Sequence, residues 1–331
     1  MTENNQDHDR KTRRNSYNNS DLLETKDSNF NIRQPRFTLE KDVVLPEISK
    51  LHIDEALVKI RNHKTIYIDW GFAEVDPLGK GVVLNFYGKP GTGKTLTAEA
   101  LAGSLGLPFI SIGIAELESK FMGETSKNIQ LVFNLSREHN AVLFFDEADT
   151  LLGKRLSSVT QGVDNEVNAM RSTMLIELEQ FEGIAIFATN FAENYDKAFE
   201  SRISHHVHFD LPDFNGRQAI WDKMLVPKIP LATDRSILIN EATNLTNGFS
   251  GRDIRTCMRL SLPKVLLADV NNSNTLSNNS VGLDVSHLTS AINQINKAKQ
   301  EIGKNIVEKS LGESDLNISK KLLGLNKIGE E

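Results

Sequence analysis

The stretch Val82-Val-Leu-Asn-Phe-Tyr-Gly88-Lys-Pro-Gly-Thr-Gly-Lys94-Thr95 joins a mostly apolar run to a glycine-rich turn, and a helical pattern follows from Thr95 to Leu105. A near-continuous apolar run of this length suits a strand buried on both faces, as in a parallel sheet. Gly88–Thr95 fits the pattern G-x-x-x-x-G-K-[ST] without a mismatch, after a strand and before a helix, where that loop has to lie. Glycines let successive backbone N–H groups turn inward and approach phosphate oxygens, and the positive end of the following helix adds to the attraction. Lys94 is placed to reach the β- and γ-phosphates of a nucleotide, and the Thr95 hydroxyl to ligate Mg²⁺. On its own, the loop suits a kinase, a GTPase or an ATPase.

Outward from this loop, strands and helices alternate. Pro108-Phe-Ile-Ser-Ile112, Ala141-Val-Leu-Phe-Phe145, Gly183-Ile-Ala-Ile-Phe-Ala188 and His206-Val-His-Phe209 read as strands, with helical patterns at Ser126–His139 and Val163–Phe181. This alternation implies the α/β class, a parallel sheet sandwiched by helices. Upstream, the spacing of Ile53, Ala56, Leu57 and Ile60 marks an amphipathic helix, followed by a loop through Asp69–Phe72 and Pro77–Gly81. Past Pro212 the pattern becomes helical throughout, at Arg217–Leu225, Leu238–Leu245, Gly251–Leu267 and Val285–Ile302. The Asn/Ser-rich stretch Asn271–Ser280 reads as a loop, because these side chains bond their own backbone.

The 331 residues suggest about two domains, on a prior of roughly 100–200 residues each. The expected plan is an unstructured tail over 1–40, then a sheet subdomain over 41–215 with its N-terminal helix and linker at 41–81. A small helical lid over 216–302 and a tail over 303–331 complete it. Residues 1–40 carry seven acids and seven bases and little apolar surface to offset the entropy of ordering. The net charge of −6 therefore belongs to the rest of the chain and gives no support to a general nucleic-acid binder, although Arg10–Arg14 is a local basic cluster. One cysteine, Cys257, excludes an internal disulfide framework and reads as a small buried hydrophobe. No apolar run approaches the ~18 residues that span a bilayer. Met1–Arg10 lacks the apolar core of a signal peptide, and a cytoplasmic location is the expectation.

A second motif narrows the chemistry. Val142-Leu-Phe-Phe-Asp146-Glu147-Ala-Asp149 is an apolar strand ending in two consecutive carboxylates. Asp146 is placed to hold the Mg²⁺ shell, and Glu147 to orient water for in-line attack on a γ-phosphate. That pair suits hydrolysis better than transfer to a bulky acceptor. His205, His206 and His208 carry no metal reading, because strand alternation splits them between two faces and no carboxylate or cysteine cluster accompanies them.

Gly88–Thr95, Leu143–Asp149 and the strand ending Ala188-Thr189-Asn190 resemble the two Walker motifs and the sensor asparagine of AAA+ ATPases of the P-loop NTPase superfamily, and more narrowly of the AAA group, over roughly residues 40–300. The resemblance implies ATP and Mg²⁺ as ligands, with Gly88, Pro90, Gly91, Thr92, Gly93, Lys94, Thr95 and Leu96 around the nucleotide. It implies a homo-oligomer, a hexameric ring with ATP sites at subunit interfaces. Asn190, alone a turn-capping asparagine, becomes the group that positions water or senses the γ-phosphate.

Asp196–Ile203 is similar to the segment that carries arginine fingers, so Arg202 is the residue expected to complete a neighbour's site. Many members have two arginines there, three residues apart; here Phe199 occupies the earlier place. Lys120-Phe121-Met122-Gly123 resembles the loop that lines the ring's pore and grips polypeptide, although unaided Phe121 and Met122 read as buried loop anchors. Gly248–Ile254 is similar to the second sensor region, with Ser250 as a helix cap and Arg252 offered to the γ-phosphate where members often have a small residue. No His-Glu-x-x-His stretch occurs, so the metalloprotease of some relatives is not implied.

The leading expectation is Mg²⁺-dependent ATP hydrolysis by an oligomer that remodels, unfolds or disassembles a protein partner through a central pore. Residues 1–52 or a separate adaptor would supply its specificity. The rival is an ATP-dependent switch or scaffold in a DNA-linked or defence complex, without threading. A P-loop kinase ranks third, because Glu147 and Arg202 match a hydrolase.

Overall fold

The computed structural model describes residues 22–23, 30–77, 81–117, 124–152, 162–190, 195–272 and 282–311. The chain divides into two units between Pro212 and Asp213, slightly before the boundary expected from sequence. In the first unit the strands are β1 (Leu22–Leu23), β2 (Ile32–Arg33), β3 (Val82–Gly88), β4 (Phe109–Gly113), β5 (Val142–Asp146), β6 (Ile184–Thr189) and β7 (His205–Phe209). They form one sheet in the order β1-β2-β4-β5-β6-β3-β7, parallel from β4 through β7 and antiparallel where β2 meets β4 and β1 meets β2.

Side-chain alternation along the parallel strands builds a core on each face. Leu84, Phe86, Phe144, Ile186, Val207 and Phe209 pack on one side with helices Glu47–Arg61 and Lys94–Leu105. Val83, Leu143, Phe145, Ala185 and Phe187 pack on the other with helices Glu124–His139 and Gly162–Gln180. Helices on both faces require strands apolar on both faces, which is why β3, β5 and β6 read as continuous apolar runs. Asn85 breaks the run: it is fully buried at the centre of β3.

The N-terminal tail is shorter than its composition suggested. Phe30 and Ile32 are buried in the core, and β2 pairs with β4 through Ile32↔Ile110 and Arg33↔Phe109. Arg33 and Arg36 both bond the carboxylate of Glu99, on the helix that follows the glycine-rich loop, at 3.0 Å each. The chain then passes so close to that helix that a Cβ at Gly103 would lie 2.0 Å from the carbonyl oxygen of Phe37. A charge balance over residues 1–40 could not register this, because the partner carboxylate lies more than sixty positions away. Helical turns at Thr65–Asp69 and Phe72–Glu74 reach into the stretch expected as a loop through Asp69–Phe72 and Pro77–Gly81.

The second unit is helical: Phe214–Met224, Arg235–Leu245, Gly251–Asn272 and Val285–Leu311, around Trp221, Leu238, Phe249, Ile254 and Leu288. The last helix continues past the expected end at Ile302 to Leu311. Ser250 and Asp253 cap the third helix reciprocally: Asp253 Oδ2 accepts from the Ser250 N–H at 2.8 Å, and Ser250 Oγ accepts from the Asp253 N–H at 3.3 Å. Cys257 is fully buried, and burial pushes its thiol up to about 12, so it is inert as a nucleophile. The Asn/Ser-rich loop lies almost wholly outside the described residues. Among the described residues no helix is long and apolar enough to cross a membrane.

Glu99 gives a test of the N-terminal strap. Burial alone would raise its pKa, but the hydrogen bonds from Arg36 and the charges of both arginines outweigh that and hold it below the usual 4.5. A depressed carboxylate contributes stability that is present at neutral pH and is lost as pH falls through the folded-state pKa. Glu99→Ala is expected to cost about 2 kcal/mol at neutral pH, a figure kept low because both arginines are partly exposed. The gap to wild type should narrow in urea unfolding as pH falls below the usual 4.5 and through the lower folded-state pKa, and limited proteolysis should cut the variant between residues 30 and 40.

Candidate functional site

Neighbouring strands β5, β6 and β3 end at the same side of the sheet, and each carries one of the sequence-predicted motifs at its C-terminal end. In open parallel sheets ligands bind outside these ends, where the strand order switches direction. The switch falls here beside β3, whose neighbours β6 and β7 both come later in the chain.

The loop after β3 owes its shape to glycine. Gly88 has φ 140°, and a Cβ there would lie 2.1 Å from the Phe209 carbonyl oxygen. Gly93 has φ 108°, caps helix Lys94–Leu105, and has open space where a Cβ would stand. A left-handed residue facing open space at a helix N-terminus leaves N–H groups available to an anion. Pro90, Gly91 and Thr92 form the turn between these glycines, and the Thr92 hydroxyl donates to Lys89 O at 2.8 Å. Leu96 follows half-buried in the first helical turn.

Lys94 is 8% exposed, and its ammonium sits among oxygens of two motifs: Gly88 O at 2.6 Å, Lys89 O at 3.1 Å and Asn190 Oδ1 at 3.0 Å. The Thr95 hydroxyl lies 3.2 Å from Asp146 Oδ2. Glu147 is exposed beside them, in a left-handed backbone conformation (φ 55°) that few non-glycine residues adopt, and its N–H donates to Asp146 Oδ1 at 3.0 Å. The structure therefore brings together Lys94, Thr95, Asp146, Glu147 and Asn190.

These residues fit an Mg²⁺-nucleotide. Mg²⁺ is usually held by one or two protein oxygens with phosphate and water completing its shell, and Thr95 with Asp146 offers such a pair. Among the described residues no cluster of three His, Cys, Asp or Glu side chains could hold a metal by itself.

Arg202, in the first unit, donates to Ala198 O at 2.9 Å and to Glu179 Oε2 at 3.2 Å, and Phe199 is fully buried. Arg252 is exposed in the first turn of helix Gly251–Asn272 in the second unit. Phe121 and Met122 lie outside the described residues. Sequence reasoning gave no role to Asp149, whose Oδ1 accepts from the Asn190 N–H at 3.0 Å and from the Thr189 hydroxyl, fixing the end of β6. Its place three residues after Asp146 in the same motif was the available signal.

Fold and site define a P-loop nucleotide-binding α/β domain. Residues 84–211 match the family described as "ATPase family associated with various cellular activities (AAA)". Over these residues the chain has the domain of an AAA+ ATPase of the P-loop NTPase superfamily. It is similar to an ATP-dependent zinc metalloprotease FtsH of Syntrophus aciditrophicus, 39% identical over 183 residues that make up 53% of this chain and 24% of the relative. A proteasome-activating nucleotidase of Methanopyrus kandleri is 36% identical, over 53% of this chain and 41% of its own. One of Aeropyrum pernix is 35% identical, over 65% and 52% respectively. The chain thus spans from a quarter to about half the length of these relatives. The fold matches the FIGL-1 AAA domain solved in complex with ADP, with a TM-score of 0.59 over 88% of this chain and 91% of that one, at 20% identity.

Proposed function

We propose that the chain binds ATP with Mg²⁺ and hydrolyses it, as an oligomer that remodels, unfolds or disassembles a protein partner. The observation that carries this reading is the convergence of Lys94, Asn190, Asp146 and Glu147 at the ends of three adjacent strands. In it, Lys94 and the loop N–H groups would hold the phosphates, and Thr95 and Asp146 would hold Mg²⁺, which would supply positive charge against the developing phosphate charge. Exposed Glu147 orients the attacking water, and Asn190, anchored by Asp149, fixes the line of approach.

Arg202 is assigned to a neighbouring copy's site. Its pair with Glu179 does not oppose this: the two side chains are 29% and 46% exposed, and such a pair is worth about 1 kcal/mol or less. Giving up the Glu179 pair for a phosphate therefore costs little against the charge-assisted bonds it gains. A head-to-tail contact between copies closes into a ring, and hydrolysis then depends on assembly. The protein client is supported by the pore-loop resemblance at Phe121-Met122-Gly123 and by the names of relatives that link ATP use to a protease or proteasome.

Glu147→Gln is expected to retain ATP while turnover falls about 100-fold or more, measured as phosphate release; unchanged release overturns the hydrolase reading. Arg202→Ala should spare ATP binding and lower turnover by ~10³-fold. Mixing it with Lys94→Ala should restore part of the activity, because each copy supplies what the other lacks; a fully active monomer would refute a shared site. Phe121→Ala separates a motor from a switch: ATP hydrolysis persists in both, but work on a protein client is lost only in the motor.

A further inference from the structure

Asn85 is fully buried in the middle of β3, in register with Phe187 of β6 on one side and His206 of β7 on the other. Its amide is not idle. Nδ2 donates to Tyr195 Oη at 2.9 Å and lies 3.3 Å from His206 Nδ1, while Oδ1 is buried with no hydrogen-bond partner. Both contacts use amide hydrogens, so His206 Nδ1 takes part as an acceptor, which requires its lone pair. Burial holds the pKa of His206 below its usual value, against the opposing charge of Glu200, so the lone pair is present at neutral pH.

Hydrogen counting fixes the direction of the remaining bonds. Asp149 is a carboxylate and only accepts, so the single Thr189 hydroxyl hydrogen goes to Asp149 Oδ1. Thr189 also bonds Tyr195, and with its own hydrogen committed it accepts the phenolic one. The donors therefore point one way, from Asn85 to Tyr195, to Thr189 and to Asp149. The last oxygen also receives the Asn190 N–H, and the Asn190 side chain meets Lys94. Side-chain alternation makes this possible: Asn85, Thr189 and His206 fall on one face of three adjacent strands.

We infer that Tyr195, oriented by Asn85 and through it tied to His206 on the edge strand, is a positioning residue for Asn190. This rests on the hydrolytic reading of the site, which the same experiment tests separately. Chains of bonds with aligned donors hold their members in one arrangement better than isolated pairs do. The network begins on β7, which comes directly after the Arg202 segment, and ends on the residue assigned to fix the attacking water. Ser204, between them, is tied to β3 through its N–H to Val83 O at 2.8 Å.

The test compares kcat, KM and thermal midpoint for the full chain, Tyr195→Phe and Asn85→Leu. Tyr195→Phe keeps the ring and removes only the hydroxyl. It should lower kcat by ~3–10-fold, the worth of about one hydrogen bond, with KM for ATP within about twofold of wild type. Asn85→Leu removes the unpartnered Oδ1 and completes the apolar run of β3. Its thermal midpoint should hold or rise while kcat falls as in Tyr195→Phe, and the double variant should fall no further than either single one. Wild-type kcat in either variant, or losses of kcat that track losses of thermal midpoint, overturns the network. If the wild-type chain itself releases no phosphate, the hydrolytic reading fails and the inference with it. Hydrolysis abolished by Glu147→Gln yet indifferent to both new variants overturns the inference alone.

Discussion

The buried ammonium of Lys94 is the constraint around which the site is arranged. A charge withdrawn from water is tolerated only when oxygens surround it, and Lys94 has three within 3.1 Å. Two are backbone carbonyls of its own loop, which can point inward only because the glycines adopt φ values closed to other residues. The third is on Asn190, so β6 must end level with β3, which the pairing Tyr87↔Thr189 secures. Sheet register and ion coordination are thus a single requirement. In the proposed function a phosphate would replace neutral partners of the ammonium with an anion, and charge-assisted bonds are about twice as strong as neutral ones.

The helix beginning at Lys94 is clamped along its length for the same reason. Thr97, Ala98, Glu99, Ala100, Leu101 and Ala102 are all buried, so it lacks the solvent stripe of an ordinary surface helix. One side lies on the sheet; Glu99 is met by arginines of the N-terminal strap, and Gly103 lets that strap's backbone pass. A helix whose N-terminus faces phosphates is useful only if it cannot retreat from them. Packing on several sides supplies that rigidity.

How much could be read from residues alone depends on the range of each signal. β3, β5 and β6 were legible because burial on both faces writes itself into a local run of apolar residues. The glycine-rich loop and the Asp146–Glu147 pair were legible because spacing dictates their chemistry. Asn190 looked like a turn asparagine until placed beside the two motifs, since nothing local reveals that β6 lies next to β3. The strap over residues 30–37 was not legible at all: a pair between Arg33 and Glu99 exists only in three dimensions, and local composition there resembles a solvated tail. Helix Val285–Leu311 outran its expected end because its later turns continue without a proline or glycine stop beyond Gly303.

Two of the residues that break local rules lie on the elements that build the candidate nucleotide site. Glu147 holds a left-handed backbone that costs on the order of 1–3 kcal/mol outside glycine. Asn85 places an amide, one oxygen of it unpaired, where the strand would accept leucine, at a cost of about 1–3 kcal/mol. Leu84 and Phe86, on either side of Asn85, and Phe145, just before Asp146, obey the apolar pattern without exception. Beside Asp146 and Thr189, both costs are consistent with stability given up to hold those groups in one geometry. For Glu147 the gain is visible in the motif itself. For Asn85 it has to be transmitted, and the side chains its donors engage are Tyr195, which leads to Asn190, and His206, which leads to the sheet edge.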